Sequence, residues 1–391
     1  MAGYLAVTDE MTLTELGATV VGKDFLRRSE YSTPPPPPPP QLPTAPAITG
    51  WAYGDSWTGA TYGTAAWPAL LRDYMGLYTV LNRGVAGSRI QNVAVHAQAP
   101  SGAPWVPGNH GLVAVGALLN NQADVDDANN RDTAYESMRA LVARFSSGAI
   151  REDTDAATFT YNGTWQTFTD PMASGGTARY VNPTLAADAF HTDTITVTVP
   201  AGVNYLQFIG LAPEMGTGAT FTLHNAGGAE VARQRTDGRS RTTLGQGLGE
   251  GKRAPVVMRV PGTAGGVFTL KVTTPPGYAG AVLGYVDCLI TLAAQPPMVV
   301  LLKPVHVLHP SYQKTALETY LRTIPDTMAT EFSNVVVADP NLGFDPVAML
   351  GADLLHPIDP GHQHVTAAIR DAVNATATRR ALILNIPGLV S

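Results

Sequence analysis

WAYGDSWTG, residues 51–59, closes an apolar run on Gly54-Asp55-Ser56. The run that starts at Ala47 reads as a short buried strand ending in a turn, with the glycine letting the backbone turn sharply. In a parallel sheet, functional groups gather just outside the carboxyl ends of the strands, and Ser56 stands there. Serine is a weak nucleophile: it needs a base, and the base needs an orienting acid. On its own the tripeptide is also what a turn or a helix cap looks like.

Outward from this point the pattern is α/β. AAWPALLRDYMG (65–76) reads as a helix and YTVLNRG (78–84) as a second strand. GLVAVGALL (111–119) is a third apolar run, and AYESMRALVARFSS (134–147) is an amphipathic helix. Strands alternating with helices argue for a parallel sheet. From about 151 to 290 the texture changes to short alternating runs rich in Thr, Val, Phe and Tyr, split by Gly, Pro and Asn turns. Such spacing without helices predicts a β-sandwich. After it come a buried strand (PPMVVLLKPV), a helix (TALETYLRTIPDTMATEF), a strand (SNVVVADP) and a last helix (PGHQHVTAAIRDAVNAT). The expected organisation is one α/β domain in two parts, 48–150 and 291–391, interrupted by an all-β domain at 151–290.

Ahead of this lie residues 1–33, too short to hold a core and expected to dock on something else. Residues 34–47 follow as a linker, with seven consecutive prolines from Pro34 to Pro40. These predict a stiff polyproline II spacer rising about 3.1 Å per residue. The N-terminus, MAGYLAVTDEMTLTELG, is acidic and weakly apolar, and is not expected to act as a secretion signal.

Composition narrows the chemistry. Of 391 residues 45% are hydrophobic and 14% charged, which suits a folded chain. A net charge of −6 with no basic cluster argues against a nucleic-acid partner. No run approaches the apolar length of a membrane span. Cys288 is the single cysteine, so no intrachain disulfide and no multi-cysteine metal site can form. It is read as a buried small hydrophobe in an apolar strand.

A second cluster of chemistry lies far from Ser56. GADLLHPIDPGHQH carries Asp353 and His356 on the loop feeding the last helix, which Asp359 can cap and in whose first turn Pro360 fits. A D-x-x-H pair can set the carboxylate against one imidazole nitrogen and leave the other to take a proton. LNRGVAGSRI follows the second strand with Gly84 and Gly87, and GALLNNQAD follows the third with Asn120 and Asn121. All are candidate donors to a developing oxyanion. DVDDANNRD, at Asp124–Asp132, reads as a solvated loop entering a helix, since it lacks the glycine and final glutamate of an EF-hand. His306 and His309 read as loop histidines with no third metal ligand. Tyr161, Trp165 and Tyr205 are candidates for an aromatic sugar platform or for core packing.

Taken in order, Gly54-Asp55-Ser56, Asn82-x-Gly84-x-x-Gly87, the glycine and asparagines after the third strand, and Asp353-x-x-His356-Pro357 resemble the blocks of SGNH (GDSL-type) hydrolases. The resemblance covers about half the chain. It implies a flavodoxin-like three-layer α/β/α domain, here with an inserted β-sandwich and an N-terminal docking segment, and metal-free, cofactor-free serine ester hydrolysis. By the same resemblance Ser56 is the nucleophile, His356 the base and Asp353 its partner. The N–H groups of Ser56 and Gly87 with Asn120, or alternatively Asn121, form the oxyanion hole. Trp57 stands where the family's name has leucine, and reads equally as a wall of the acyl pocket or as core. The sequence departs from the family's G-x-N-D block, reading Gly116-Ala117-Leu118-Leu119-Asn120-Asn121. A docking piece, a stiff spacer and a sandwich suited to gripping polymer also resemble a bacteriophage minor tail protein. That implies a virion location, tail-protein partners through residues 1–33, and an O-acylated polysaccharide or lipid ester of the host envelope as substrate. The rival expectations are a free intracellular esterase or thioesterase and a receptor-binding head with weak catalysis.

Overall fold

Strands whose residues are apolar on both faces must be covered on both faces, and such strands form the middle of one parallel sheet, with the more exposed strand at residues 79–84 on its edge. The computed structural model describes residues 48–59, 62–181, 191–211, 220–235, 253–274 and 285–375. The expected docking segment and proline linker, 1–33 and 34–47, lie outside the described residues.

The chain runs β1 (Thr49–Gly54), α1 (Ser56–Gly59), α2 (Trp67–Met75), β2 (Thr79–Gly84), α3 (Ile90–His96), β3 (Leu112–Gly116) and α4 (Ala128–Phe145). It then makes β4 (Ser147–Glu152), β5 (Phe159–Asn162), β6 (Trp165–Thr169), β7 (Thr177–Val181), β8 (His191–Val199) and β9 (Asn204–Leu211). Next come β10 (Thr220–His224), β11 (Glu230–Arg235), β12 (Arg253–Arg259), β13 (Gly266–Thr274) and β14 (Tyr285–Leu292). It finishes with β15 (Met298–Leu302), α5 (Thr315–Glu331), β16 (Val335–Ala338), α6 (Pro346–Met349) and α7 (Asp359–Asn374).

The first sheet has the order β2-β1-β3-β15-β16, and its registered pairs are all parallel. Period-two alternation splits its side chains between two cores. Val113, Val115, Val299 and Leu301 pack with Ile90 of α3, Met138 and Leu141 of α4, and Leu321 and Met328 of α5. Leu112, Ala114, Val300 and Leu302 pack with Trp67 and Leu71 of α2 and Val365, Ile369 and Val373 of α7. The carboxyl ends of β1 and β3 approach so closely that a Cβ on Gly54 would lie 2.3 Å from the Gly116 carbonyl oxygen, so residue 54 must be glycine.

β4–β14 form two antiparallel sheets, ordered β11-β10-β13-β8-β5 and β12-β9-β14-β7-β6, with β4 added beside β14. Ile195, Val197, Phe221, Leu223 and Leu270 of one face Leu206, Phe208, Val256 and Leu289 of the other across a shared core. This is a β-sandwich. The chain leaves and re-enters the α/β part side by side, since Ala293 N–H donates to the Ser146 carbonyl and Leu292 pairs with Ser147. β4 therefore starts at Ser147, before the expected boundary at 151; its Gly and charged residues hide a strand from propensity.

The sandwich is fastened to the α/β part. On β9, Leu206 and Phe208 face the sandwich core, while Tyr205 belongs to the core shared with α4 and α5. Arg139 of α4 forks onto Glu331 of α5, with Nε–Oε2 at 2.8 Å, and reaches the Val257 carbonyl of β12 at 2.9 Å. The Tyr205 hydroxyl donates to Glu331 at 2.8 Å. Tyr205 is thereby removed from any sugar platform. Tyr161 and Trp165 flank the sandwich core, their hydroxyl and indole N–H bonded to the carbonyls of Asp153 and Thr194.

Candidate active site

The Asp353–His356 spacing follows from a turn. Asp353 Oδ1 accepts the backbone N–H groups of Leu355 and His356, each at 3.0 Å, which brings His356 back over its own carboxylate. Asp353 Oδ2 then meets His356 Nδ1 at 2.6 Å. Burial pushes the Asp353 carboxyl up, but the backbone and imidazole hydrogen bonds outweigh it and hold the group down to about 2. The carboxylate is therefore charged across the neutral range and fixes the imidazole proton on Nδ1.

Across the sheet rim, His356 Nε2 lies 3.0 Å from Ser56 Oγ, joining residues 300 positions apart. Ser56 opens α1 directly after β1, and its hydroxyl is nearly buried. The loop carrying Asp353 and His356 is held in place from several sides. Gly351 N–H donates to the His356 carbonyl, Leu350 bridges Pro357, and the Trp57 indole N–H donates to the Leu355 carbonyl at 3.0 Å. Leu354 takes a left-handed φ of 58°, a strained setting held by Leu308 and His309 N–H groups donating to its carbonyl.

Trp57 is thus part of the core, and it also lines a cavity with Asp55, Trp67 and Leu119. It is 6% accessible, sits in the core with Trp67 and Val365, and braces the histidine loop from below. Asp359 does not cap α7; Ile358 occupies the cap position, and the Asp359 carboxylate accepts Thr64 N–H at 2.6 Å.

The candidate oxyanion donors differ in how far their hydrogen bonds are already committed. The N–H groups of Ser56 and Gly87 donate to no acceptor among the described residues. Gly87 has φ 76°, a conformation natural to glycine. Its turn is tied to α1 by Asn82, whose Nδ2 donates to the Thr58 carbonyl at 2.7 Å. Asn121 is fully committed: Oδ1 accepts Ile90 N–H, and Nδ2 donates to Gln91 and Asp124. Asn120 donates through Nδ2 to the Ser88 carbonyl only, and its Oδ1 accepts the Tyr312 hydroxyl at 2.9 Å. One amide N–H of Asn120 is left, so geometry favours Asn120 over Asn121.

Asp55 is fully buried. Its Oδ1 accepts Trp57 N–H at 3.0 Å, and its Oδ2 has no hydrogen-bond partner. Burial pushes its carboxyl up to about 7, against the pull of backbone hydrogen bonds. An acid with a raised folded pKa contributes its full stability below its ordinary value of 3.8 and loses it as pH rises through about 7. Asp55→Asn is therefore expected to flatten the fall in urea-unfolding free energy that the parent shows between acidic and neutral pH. Parallel pH curves for the two proteins would contradict this.

Sequence reasoning missed Tyr62. Its ring stacks on that of His356, with centroids 3.8 Å apart and planes 16° apart. No spacing rule marks a residue that reaches the site from a turn. Tyr312, which orients Asn120, was equally invisible.

The remaining candidates have structural partners. Asp124 is buried against Arg89 at 2.7 Å, Asp126 pairs with Arg131, and Asp127 caps α4 through Asn130 N–H. His306 faces Glu318 at 3.0 Å, and His309 accepts Ser311 N–H. Cys288 is buried, but beside charge: Arg144 Nη2 lies 3.6 Å from its sulfur, and Glu152 and Asp287 are its neighbours. Burial pushes the carboxyls of both Glu152 and Asp287 up against the pull of the nearby Arg144 charge, and each has a neutral partner, Ser174 Oγ on Glu152 and the Ser174 N–H and Gln207 on Asp287.

No family model matches this chain, and no curated protein matches it. Among solved structures it is similar to a family 35 carbohydrate-binding module from Cellvibrio japonicus, at 15% identity over 37% of this chain and 92% of that one, with a TM-score of 0.25. A family 35 module from Clostridium thermocellum is similar at 17% identity over 37% and 98%, with a TM-score of 0.25. An exo-β-1,3-galactanase from Phanerochaete chrysosporium is similar at 16% identity over 37% and 29%, with a TM-score of 0.24. Likenesses at this level carry no functional weight for this chain.

Proposed function

We propose that this chain is a serine esterase of the SGNH type, cleaving carboxylic (O-acyl) esters through an acyl-enzyme. The observation that carries the reading is the continuous relay from Ser56 Oγ through His356 to Asp353, at 3.0 and 2.6 Å. Its setting supports it. Numbered among themselves, the strands of the parallel sheet run 2-1-3-4-5, the flavodoxin-like order. The relay stands at the carboxyl ends of these strands, where such sheets bind ligands.

In the proposed reaction Ser56 Oγ attacks the ester carbonyl as His356 Nε2 takes its proton, and Asp353 stabilises the imidazolium that forms. The N–H groups of Ser56 and Gly87 and the spare N–H of Asn120 receive the oxyanion. His356 then protonates the departing alcohol, leaving Ser56 acylated. Water repeats the sequence, releasing the carboxylic acid and restoring the hydroxyl. Asn120→Ala is expected to lower kcat roughly 10²–10³-fold, the size of one lost oxyanion donor, with little change in KM. A variant with parental kcat would remove Asn120 from the hole.

The proposed substrate is an ester of host-envelope polysaccharide or lipid, with the sandwich gripping polymer and residues 1–33 attaching the enzyme to a phage tail. The test is acyl release from acetyl, butyryl and long-chain esters beside intact O-acylated polysaccharide. The reading expects the polysaccharide to be deacylated faster, per ester, than a soluble acetyl ester. Activity confined to soluble metabolite esters would favour the free esterase.

A further inference from the structure

Tyr62 is 42% exposed, yet one face of its ring lies flat on the imidazole of His356, whose side chain is only 16% exposed. The phenol ring therefore stands between the base and solvent. This placement is built rather than incidental. Thr64 N–H donates to the Asp359 carboxylate at 2.6 Å, and Trp67 N–H donates to His362 Nδ1 at 3.3 Å. Gly63 passes so near that a Cβ there would lie 2.1 Å from Asp359 Oδ1. Both acceptors belong to α7, the helix that follows the His356 loop. The turn bearing Tyr62 and the loop bearing the base are thus clamped to the same helix end.

Resting on the esterase reading above, we infer that Tyr62 is a positioning residue that acts through His356. Two effects follow from the stack. The covered face blocks rotation of the imidazole, keeping Nδ1 on Asp353 and Nε2 on Ser56 at the distances observed. When Nε2 takes the serine proton, the ring becomes a cation lying against an electron-rich π face, an attraction absent while it is neutral. The stack thus favours the state with the proton transferred over the ground state, so its loss appears in kcat rather than KM. The hydroxyl is not required by either effect; the ring is.

The test compares Tyr62→Phe and Tyr62→Leu with the parent. Three quantities are followed: the rate of Ser56 labelling by a fluorophosphonate, kcat and KM on a p-nitrophenyl ester, and the NMR shifts of the His356 ring protons. Tyr62→Phe is expected to label and turn over within about twofold of the parent, with the upfield ring-current shift on His356 retained. Tyr62→Leu is expected to lose roughly fivefold in labelling rate and in kcat at unchanged KM, the size of one exposed cation–π contact, and to lose the ring-current shift. Parental labelling and kcat in Tyr62→Leu, or a loss confined to KM, would overturn this inference alone. A parent chain whose Ser56 never labels would overturn the esterase reading, and this inference with it.

Discussion

Ser56→Ala is expected to lower ester turnover by on the order of 10⁴–10⁶-fold while the protein stays folded. The size follows from what is removed. In the proposed reaction Ser56 Oγ forms and breaks the bond to the acyl group, and its partner His356 Nε2 at 3.0 Å would then have nothing to deprotonate but water. The fold is spared because the Ser56 side chain caps no helix and makes one hydrogen bond, that to His356. Alanine is a good residue for the first turn of α1. Turnover of p-nitrophenyl acetate and near-ultraviolet circular dichroism, measured on the same preparation, check both halves. Undiminished turnover in a folded variant would rule Ser56 out as nucleophile.

Asp353→Asn is expected to cost on the order of 10³–10⁴ in kcat, with KM little changed. The amide keeps the shape, and its oxygen can still accept the backbone N–H groups of Leu355 and His356. Its NH₂ would then face His356 Nδ1, where a carboxylate now stands at 2.6 Å. A donor there holds the imidazole in the wrong tautomer, with Nε2 protonated and unable to accept from Ser56. The charge that stabilises the imidazolium goes as well. Single-turnover kinetics separate this from a binding defect, because acylation should slow with no loss of substrate affinity. A variant within tenfold of the parent would show that the His356 loop holds the base correctly without its carboxylate.

The central strands of the parallel sheet could be read from the sequence because burial on both faces leaves an unbroken apolar run, as in Leu112–Val115 and Met298–Leu302. α3 could not: Ile90–His96 is short, its cap is Arg89, and its stability comes from Ile90 and Val93 entering a core that no local window reveals. Ser56, Asp353 and His356 could be singled out because turn chemistry fixes their local placement, although the contact joining them spans the chain. The choice between Asn120 and Asn121 was closed to sequence reading. It turns on the partners each amide finds, Ser88 and Tyr312 for one, Gln91 and Asp124 for the other. The two readings of Trp57 stayed open for a related reason. An aromatic next to a candidate nucleophile suits a pocket wall or a core equally well, and only the packing shows Trp57 to be buried in the core while lining a cavity.

The central claim is that the hydroxyl of Ser56 is activated by His356 and Asp353. The most direct measurement is peptide mapping by mass spectrometry after reaction with a fluorophosphonate, on the parent and on His356→Ala. The account predicts a single phosphonyl adduct on Ser56 in the parent and slowed labelling, by several orders of magnitude, in the variant. No adduct on Ser56 in the parent, or equal labelling in both proteins, would contradict it.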